Sequence, residues 1–202
     1  MFRQISKSLQ SWLRRKDRRP LLLRGARQVG KTWLARALAR EEGLELVEVN
    51  FELRPEAKAA FQSLQPSEIL KNLGFLGFAT PKPGRSLLFL DEMQDCPAAL
   101  AALRYFYEIM PELPVLGSGS LLEFAMEAGT FSLPVGRVDT LWVHPMSFSE
   151  FLRARGQEAL AGAIESTPPE EPLPEIAHRE ALKGLRDYLF CGGMPAAVNA
   201  MA

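Results

Sequence analysis

Two cysteines, Cys96 and Cys191, and two histidines, His144 and His178, are all that 202 residues contain of those types. The cysteines are far apart and in no metal-ligand or redox spacing, which excludes a disulfide scaffold and a Cys/His zinc cage. The thiols are therefore expected to be reduced, as in a cytoplasmic protein. No apolar run reaches the length of a membrane span, and Met1-Phe2-Arg3-Gln4-Ile5 lacks the apolar stretch of a signal peptide. An excess of one charge is missing too: 24 Lys and Arg balance 24 Asp and Glu, so no global field draws the chain to nucleic acid or to an anionic surface. What remains is 47% hydrophobic and 24% charged. That composition predicts a soluble globular protein of one large domain, or one and a half, whose core needs no covalent staple.

Against this background one string stands out. Gly25-Ala26-Arg27-Gln28-Val29-Gly30-Lys31-Thr32 fills G-x-x-x-x-G-K-[ST] between the strand-like Leu21-Leu22-Leu23 and a helix-like run from Trp33 to Arg40. The glycines let the backbone curl so that its N–H groups face a polyphosphate, and the helix that follows adds the positive end of its dipole. Residues 25–33, from Gly25 to Trp33, are thus expected to line a nucleotide. Lys31 is expected on the β- and γ-phosphates and the Thr32 hydroxyl on Mg²⁺.

Around this loop the chain alternates between strands and helices. Ile5, Leu9, Trp12 and Leu13 make one face of a helix over 5–15, and Pro20 opens a strand at Leu21 to Arg24. A helix over 32–40 stops at Gly43, a second strand covers 44–49, and 55–76 reads as two helical pieces, with Ser67 as the cap of the second. A third strand, Ser86-Leu87-Leu88-Phe89-Leu90, is apolar on both faces, as in a parallel sheet covered by helices. A helix over 98–110, a strand over 113–116 and a small-residue turn, Gly117-Ser118-Gly119-Ser120, follow. Beyond them the pattern predicts a helix over 121–128, a loop over 131–137, a strand over 140–143, a helix over 148–155, a proline-rich acidic connector over 167–174 and a helix over 178–190. The expected fold class is α/β: a P-loop NTPase with a doubly wound parallel sheet and a small C-terminal helical segment.

Asp91 and Glu92 end the third strand at the carboxyl edge of the sheet, where open α/β sheets bind ligands. Asp91 is expected to hold Mg²⁺, and Glu92 to orient or deprotonate the attacking water. A hydroxyl of Ser118 or Ser120 can lie between the two motifs and sense the γ-phosphate, although Ser and Gly after a strand also make a plain turn. Arg137 is a loop arginine able to neutralise charge on the transferred phosphoryl group, or simply a surface residue. Arg14, Arg15, Lys16, Arg18 and Arg19 form a basic cluster that reads as a solvated helix end or as a contact for nucleic acid.

Taken in order, Arg24 to Thr32, Asn50-Phe51-Glu52, Leu90-Asp91-Glu92-Met93-Gln94, Gly119-Ser120, Val135-Gly136-Arg137, Pro145-Met146-Ser147-Phe148-Ser149-Glu150-Phe151 and Gly192-Gly193-Met194-Pro195 resemble the prokaryotic AAA-type ATPases that carry a C-terminal DUF4143 domain. The resemblance runs from about Ser6 to Pro195. It implies an AAA+ core with Lys31 and Thr32 on phosphate and Mg²⁺, Asp91 and Glu92 as the second acidic motif, and Ser118 to Ser120 at the sensor position. It also sets Arg137 at the Gly-Arg position, acting in its own subunit or, through self-association, in a neighbour's. A Thr usually precedes Gly-Ser in that family, where this chain has Ser118. Family members continue past Gly-Gly-x-Pro, so the resemblance implies a core over 1–147, a helical lid-like segment over 148–202, and truncation before most of the C-terminal domain.

The sequence therefore predicts an ATPase domain that uses ATP and Mg²⁺, with water attacking the γ-phosphate in line and the nucleotide state repositioning the region after Phe148. ATP over GTP rests on the family, and no Asn-Lys-x-Asp-like guanine reader occurs. The other two readings are a nucleotide-gated switch or scaffold with little turnover, which implies a protein partner, and a nucleic-acid-associated ATPase.

Overall fold

The computed structural model describes residues 2–119 and 136–201. Ser120 and the helix expected over 121–128 lie outside the described residues. Two compact units divide the chain: 6–143, and 144–202 together with 1–5.

In the larger unit, α1 (Ser6–Leu13) precedes β1 (Leu21–Arg24), α2 (Lys31–Glu41), β2 (Glu45–Asn50), a 3₁₀ helix (Pro55–Phe61) and α3 (Pro66–Phe75). Then come β3 (Ser86–Asp91), a short 3₁₀ turn (Met93–Asp95), α4 (Pro97–Ile109), β4 (Val115–Ser118) and β5 (Asp139–Trp142). The five strands form one sheet in the order β2-β3-β4-β1-β5, every pair parallel. Parallel pairing puts all five carboxyl ends on one edge, so the loops after β1 and β3 emerge on the same edge, on either side of β4.

Both faces of the sheet are covered, and period-2 alternation sorts the side chains between them. Val47, Val49, Leu88, Leu90, Val115 and Leu22 point into a core shared with Ile69 and Leu73 of α3 and Leu100, Leu103 and Phe106 of α4. Leu87 and Phe89, also fully buried, take the opposite face, and α2 packs against β2, β3 and β4.

Several element bounds differ from the sequence expectation. The helix expected to begin at a Ser67 cap instead has Gln65 as its cap and Pro66 in its first turn. Proline's fixed φ suits that position, and its missing N–H costs nothing there. The preceding piece is a 3₁₀ helix. β4 starts at Val115 instead of Leu113 because Pro114 has no N–H for the ladder, and it runs on to include Ser118. The turn expected from Gly117 thus begins later.

The smaller unit holds α5 (Phe148–Ala154), α6 (Glu158–Ser166), α7 (Glu175–Cys191) and α8 (Pro195–Met201). α5 opens with a full capping box between Ser147 and Glu150. Glu150 also takes the backbone N–H of Gln4 at 2.6 Å and the Arg3 guanidinium at 3.3 Å, which pins the first residues to this unit. The Gly-Gly-Met-Pro and Pro-Met-Ser-Phe strings meet here. The Met146 N–H donates to the Gly193 carbonyl at 2.6 Å, and a Cβ on Gly193 would overlap the Met146 backbone. The Tyr188 hydroxyl donates to the Met146 carbonyl at 2.7 Å.

Candidate active site

The loop between β1 and α2 has a backbone that few sequences tolerate. Gly25 has φ 132° and Gly30 φ 97°, and Gln28 between them is also left-handed at 65°. At Gly25 space is decisive as well: a Cβ there would overlap the carbonyl oxygen of Val143, at the end of β5. Val29 is fully buried and anchors the loop from below. Gly30 caps α2 with no side-chain bond, and the positive end of that helix follows directly on the loop, as at helix N-termini that bind anions.

The ammonium of Lys31 donates to the carbonyls of Gly25 and Ala26, both at 2.8 Å, and holds its charge over the loop. Next to it, the Thr32 hydroxyl donates to Oδ2 of Asp91 at 2.9 Å. Sequence reasoning expected these two to share a metal, and the sheet order brings them together. Oδ2 also accepts from the Asn50 amide at 3.3 Å, while Oδ1 takes the Glu92 N–H at 3.1 Å and the Ser118 hydroxyl. Four donors thus converge on one carboxylate that is 3% exposed, an arrangement that keeps a buried charge satisfied.

Asn50 entered the sequence reading only as part of the Asn50-Phe51-Glu52 string and was given no role. It pairs with Asp91 across the β2–β3 ladder, and its Oδ1 caps the backbone N–H groups of Glu52 and Leu53 at 3.0 and 2.9 Å. A polar residue at the carboxyl end of a strand with buried positions was the available signal. Ser118 lies behind Asp91, fully buried, with its hydroxyl proton directed to that carboxylate. Ser120 lies outside the described residues.

Glu92 follows in the left-handed region, φ 54° and ψ 49°. That conformation costs a non-glycine residue about 1–2 kcal/mol, and such strain gathers at sites where a side chain must be aimed. A cleft of about 380 Å³ is lined by Arg27, Gln28, Gly30, Lys31, Thr32, Trp33, Glu52, Asp91 and Glu92. Glu52 is the further acidic group that the sequence reading left without a role.

Arg137 is not brought to this cleft. It stands two residues before β5, at the amino edge of the sheet, so the whole of β5, about 13 Å at the usual rise, separates it from the carboxyl edge. There its Nε donates to Glu108 at 2.9 Å, next to Arg104 on the same carboxylate at 3.1 Å. The Arg137 bond, joined by Arg104, holds the Glu108 carboxyl below its ordinary range.

The basic cluster is largely consumed within its own unit. Arg14 pairs with Glu42 at 3.0 Å, and Arg15 and Arg19 pair with Asp139 at 3.3 and 3.6 Å. Arg18 donates to the carbonyls of Leu13, Pro111 and Glu112.

Among the described residues no group of three or more His, Cys, Asp or Glu side chains can hold a metal by itself. The oxygens of Thr32 and Asp91 fit a different demand. Mg²⁺ takes one or two hard protein ligands and fills the rest of its octahedron with water and phosphate.

A family model described as "AAA domain" matches residues 17–152. This chain belongs to that AAA domain family. The family is one of AAA-type P-loop ATPases, and the matched stretch contains both the Lys31–Thr32 and the Asp91–Glu92 pair. No curated protein matches the chain. Among solved structures, the Walker-type ATPase PABY2304 of Pyrococcus abyssi is similar at TM-score 0.54 and 20% identity, over 96% of this chain and 64% of that one. The ORC1 protein of Aeropyrum pernix, solved in complex with DNA, aligns at TM-score 0.39 and 19% identity, over 91% of this chain and 53% of its own. The AAA domain chain thus spans less than two thirds of either neighbour's length, and the likeness to the Pyrococcus protein is one of fold. No helix among the described residues is long and apolar enough to cross a membrane.

Proposed function

We propose that this domain binds ATP with Mg²⁺ in the cleft between the glycine loop and the acidic end of β3, and hydrolyses it slowly. The observation that carries the reading is the 2.9 Å contact between Thr32 and Asp91, which joins the phosphate loop to the second acidic motif. On binding, Lys31 exchanges the carbonyls of Gly25 and Ala26 for β- and γ-phosphate oxygens, and the N–H groups at the start of α2 take others. Thr32 and Asp91 would hold Mg²⁺, which would supply charge neutralisation for the phosphates. Asn50 and Ser118 hold the Asp91 carboxylate in its orientation. Glu92 accepts the proton of the water that attacks the γ-phosphorus as the β–γ bridge bond breaks and ADP leaves with its electron pair.

Arg137 serves a neighbouring copy's nucleotide in this reading, because its own cleft is at the other edge of the sheet. The family resemblance alone supports the helices after Phe148 as a lid-like segment leading to a DUF4143 domain. Two cysteines in neither disulfide nor metal-ligand spacing support a protein that works in the cytoplasm. The ion pairs that occupy Arg14, Arg15 and Arg19 weigh against nucleic acid as the partner.

Calorimetry with ATP and ADP, with and without Mg²⁺, followed by turnover of Glu92→Gln, tests the proposal. We expect Mg²⁺-dependent binding in the parent. In the variant we expect binding retained and turnover lowered about 10²–10⁴-fold. Absence of binding by folded protein overturns the site. Unchanged turnover in the variant removes Glu92 from its role.

A further inference from the structure

The side-chain amide of Gln94 donates from Nε2 to Oε2 of Glu92 at 2.7 Å. The turn that closes β3 makes this contact. After the left-handed Glu92, the 3₁₀ turn Met93–Asp95 folds back, and the Asp95 N–H donates to the Glu92 carbonyl at 3.1 Å. Met93 between them is fully buried. Its thioether stands where a Cβ on Gly117 of β4 would point, so the turn is keyed into the sheet. Glu92 lines the cleft and Gln94 does not.

The orientation of that amide is fixed by chemistry. Oε1 of Gln94 is buried and accepts no hydrogen bond among the described residues. Turning the amide over would nevertheless set an acceptor against the carboxylate, so the donor has to face Glu92. The restraint is mutual, since a flexible glutamate with its own side chain held on one oxygen presents the carboxylate in one orientation.

We propose that Gln94 is a positioning residue for hydrolysis. It holds Oε2 of Glu92 so that the carboxylate meets the attacking water already oriented, with the side-chain ordering done before the proton moves. The inference rests on the reading of Glu92 as the base. It assigns Gln94 no contact with nucleotide, so the residue affects kcat and leaves binding alone.

The test is a double-mutant cycle on the whole chain, with kcat, KM and ADP affinity measured for the parent, Gln94→Met, Glu92→Gln and the double variant. Gln94→Ala is run beside Gln94→Met, because both remove the donor while only the alanine empties the space. We expect Gln94→Met and Gln94→Ala to lower kcat about ten- to a hundredfold, the worth of one hydrogen bond to a charged group. ADP affinity should stay within about twofold, and neither change should add to the loss in a Glu92→Gln background.

If Glu92→Gln is inactive while Gln94→Met keeps the parent kcat, the role of Gln94 is overturned and the base reading survives. A loss confined to Gln94→Ala overturns it as well, in favour of packing. Faster turnover in Gln94→Met makes the contact a restraint on the base and also overturns the proposal. Parent-like turnover in Glu92→Gln, or no ATP cleavage by the parent, removes the base reading and this role with it.

Discussion

The Thr32 hydroxyl and Oδ2 of Asp91 are 2.9 Å apart although 59 positions separate them in the chain. Lys31 stands one residue earlier and carries the charge of the same site. Lys31→Ala is expected to lower ATP affinity at least about a hundredfold, as loss of a desolvated cation–phosphate contact implies. The melting temperature should change by only a few degrees. Thr32→Ala should instead leave weak binding that no longer responds to Mg²⁺. Calorimetry distinguishes the two, and parent-like affinity in Lys31→Ala would overturn the phosphate-loop assignment.

Gly25→Ala tests the loop's backbone, and no contact with ligand is needed to make the prediction. A methyl group there overlaps the Val143 carbonyl, at a φ of 132° that alanine avoids. We expect destabilisation of about 3 kcal/mol by urea denaturation together with loss of nucleotide binding. A variant as stable as the parent would mean that the loop and β5 are not in contact.

Arg137→Ala should retain nucleotide and lose hydrolysis. Mixed with Lys31→Ala, whose arginine is intact but whose own site is dead, it should regain activity as the ratio of the two is varied. Failure to recover at any ratio removes the intermolecular role and leaves Arg137 as the partner of Glu108.

In the smaller unit, Arg153 donates to both oxygens of Glu165 at 2.6 and 2.8 Å. This pairing, ahead of the attraction of the charges and the bond from Gln4, lowers the Glu165 carboxyl from 4.5 to about 2. A depressed folded-state value means that the contribution to stability is complete above pH 4.5 and vanishes as pH falls toward 2. The pair is exposed and screened by salt, so its effect on stability is small. The direct measurement is the carboxyl ¹³C titration of Glu165, which should return to the ordinary range in Arg153→Gln. A midpoint near 4.5 in the parent would contradict the contact.

Much of the site was legible because it is local. Gly25 to Thr32 and Leu90-Asp91-Glu92 each carry their meaning within one strand and the turn after it, and both sit where that context requires. The parts that sequence did not disclose depend on pairing across the sheet. Asn50 matters because β2 runs beside β3 in register, and Ser118, which the sequence offered as either a turn residue or a site hydroxyl, faces Asp91 because β4 extends past Leu116. Arg137 is at the far edge because β5 begins just after it, and a loop arginine read by spacing carries no information about which edge it occupies. Two helices were missed, Glu158–Ser166 and Pro195–Met201; the first buries only Ala161 with Leu160 and Ile164 packed beside it and the second only Val198, apolar stripes too slight to stand out. Pro66-Ser67 read as a break between two helical pieces, and the serine drew the cap to the wrong side of a proline that is itself in the first turn.

Strand β4 lies between β3 and β1 although it is synthesised after both. On the ribosome the glycine loop and the acidic pair therefore emerge early, with nothing yet to hold them side by side. They come into register only when Val115 to Ser118 threads into the gap, a long-range parallel pairing of the kind that forms slowly. Ligand capture during refolding should accordingly trail the gain of helical signal, which makes nucleotide uptake a gauge of whether the last central strand has gone in.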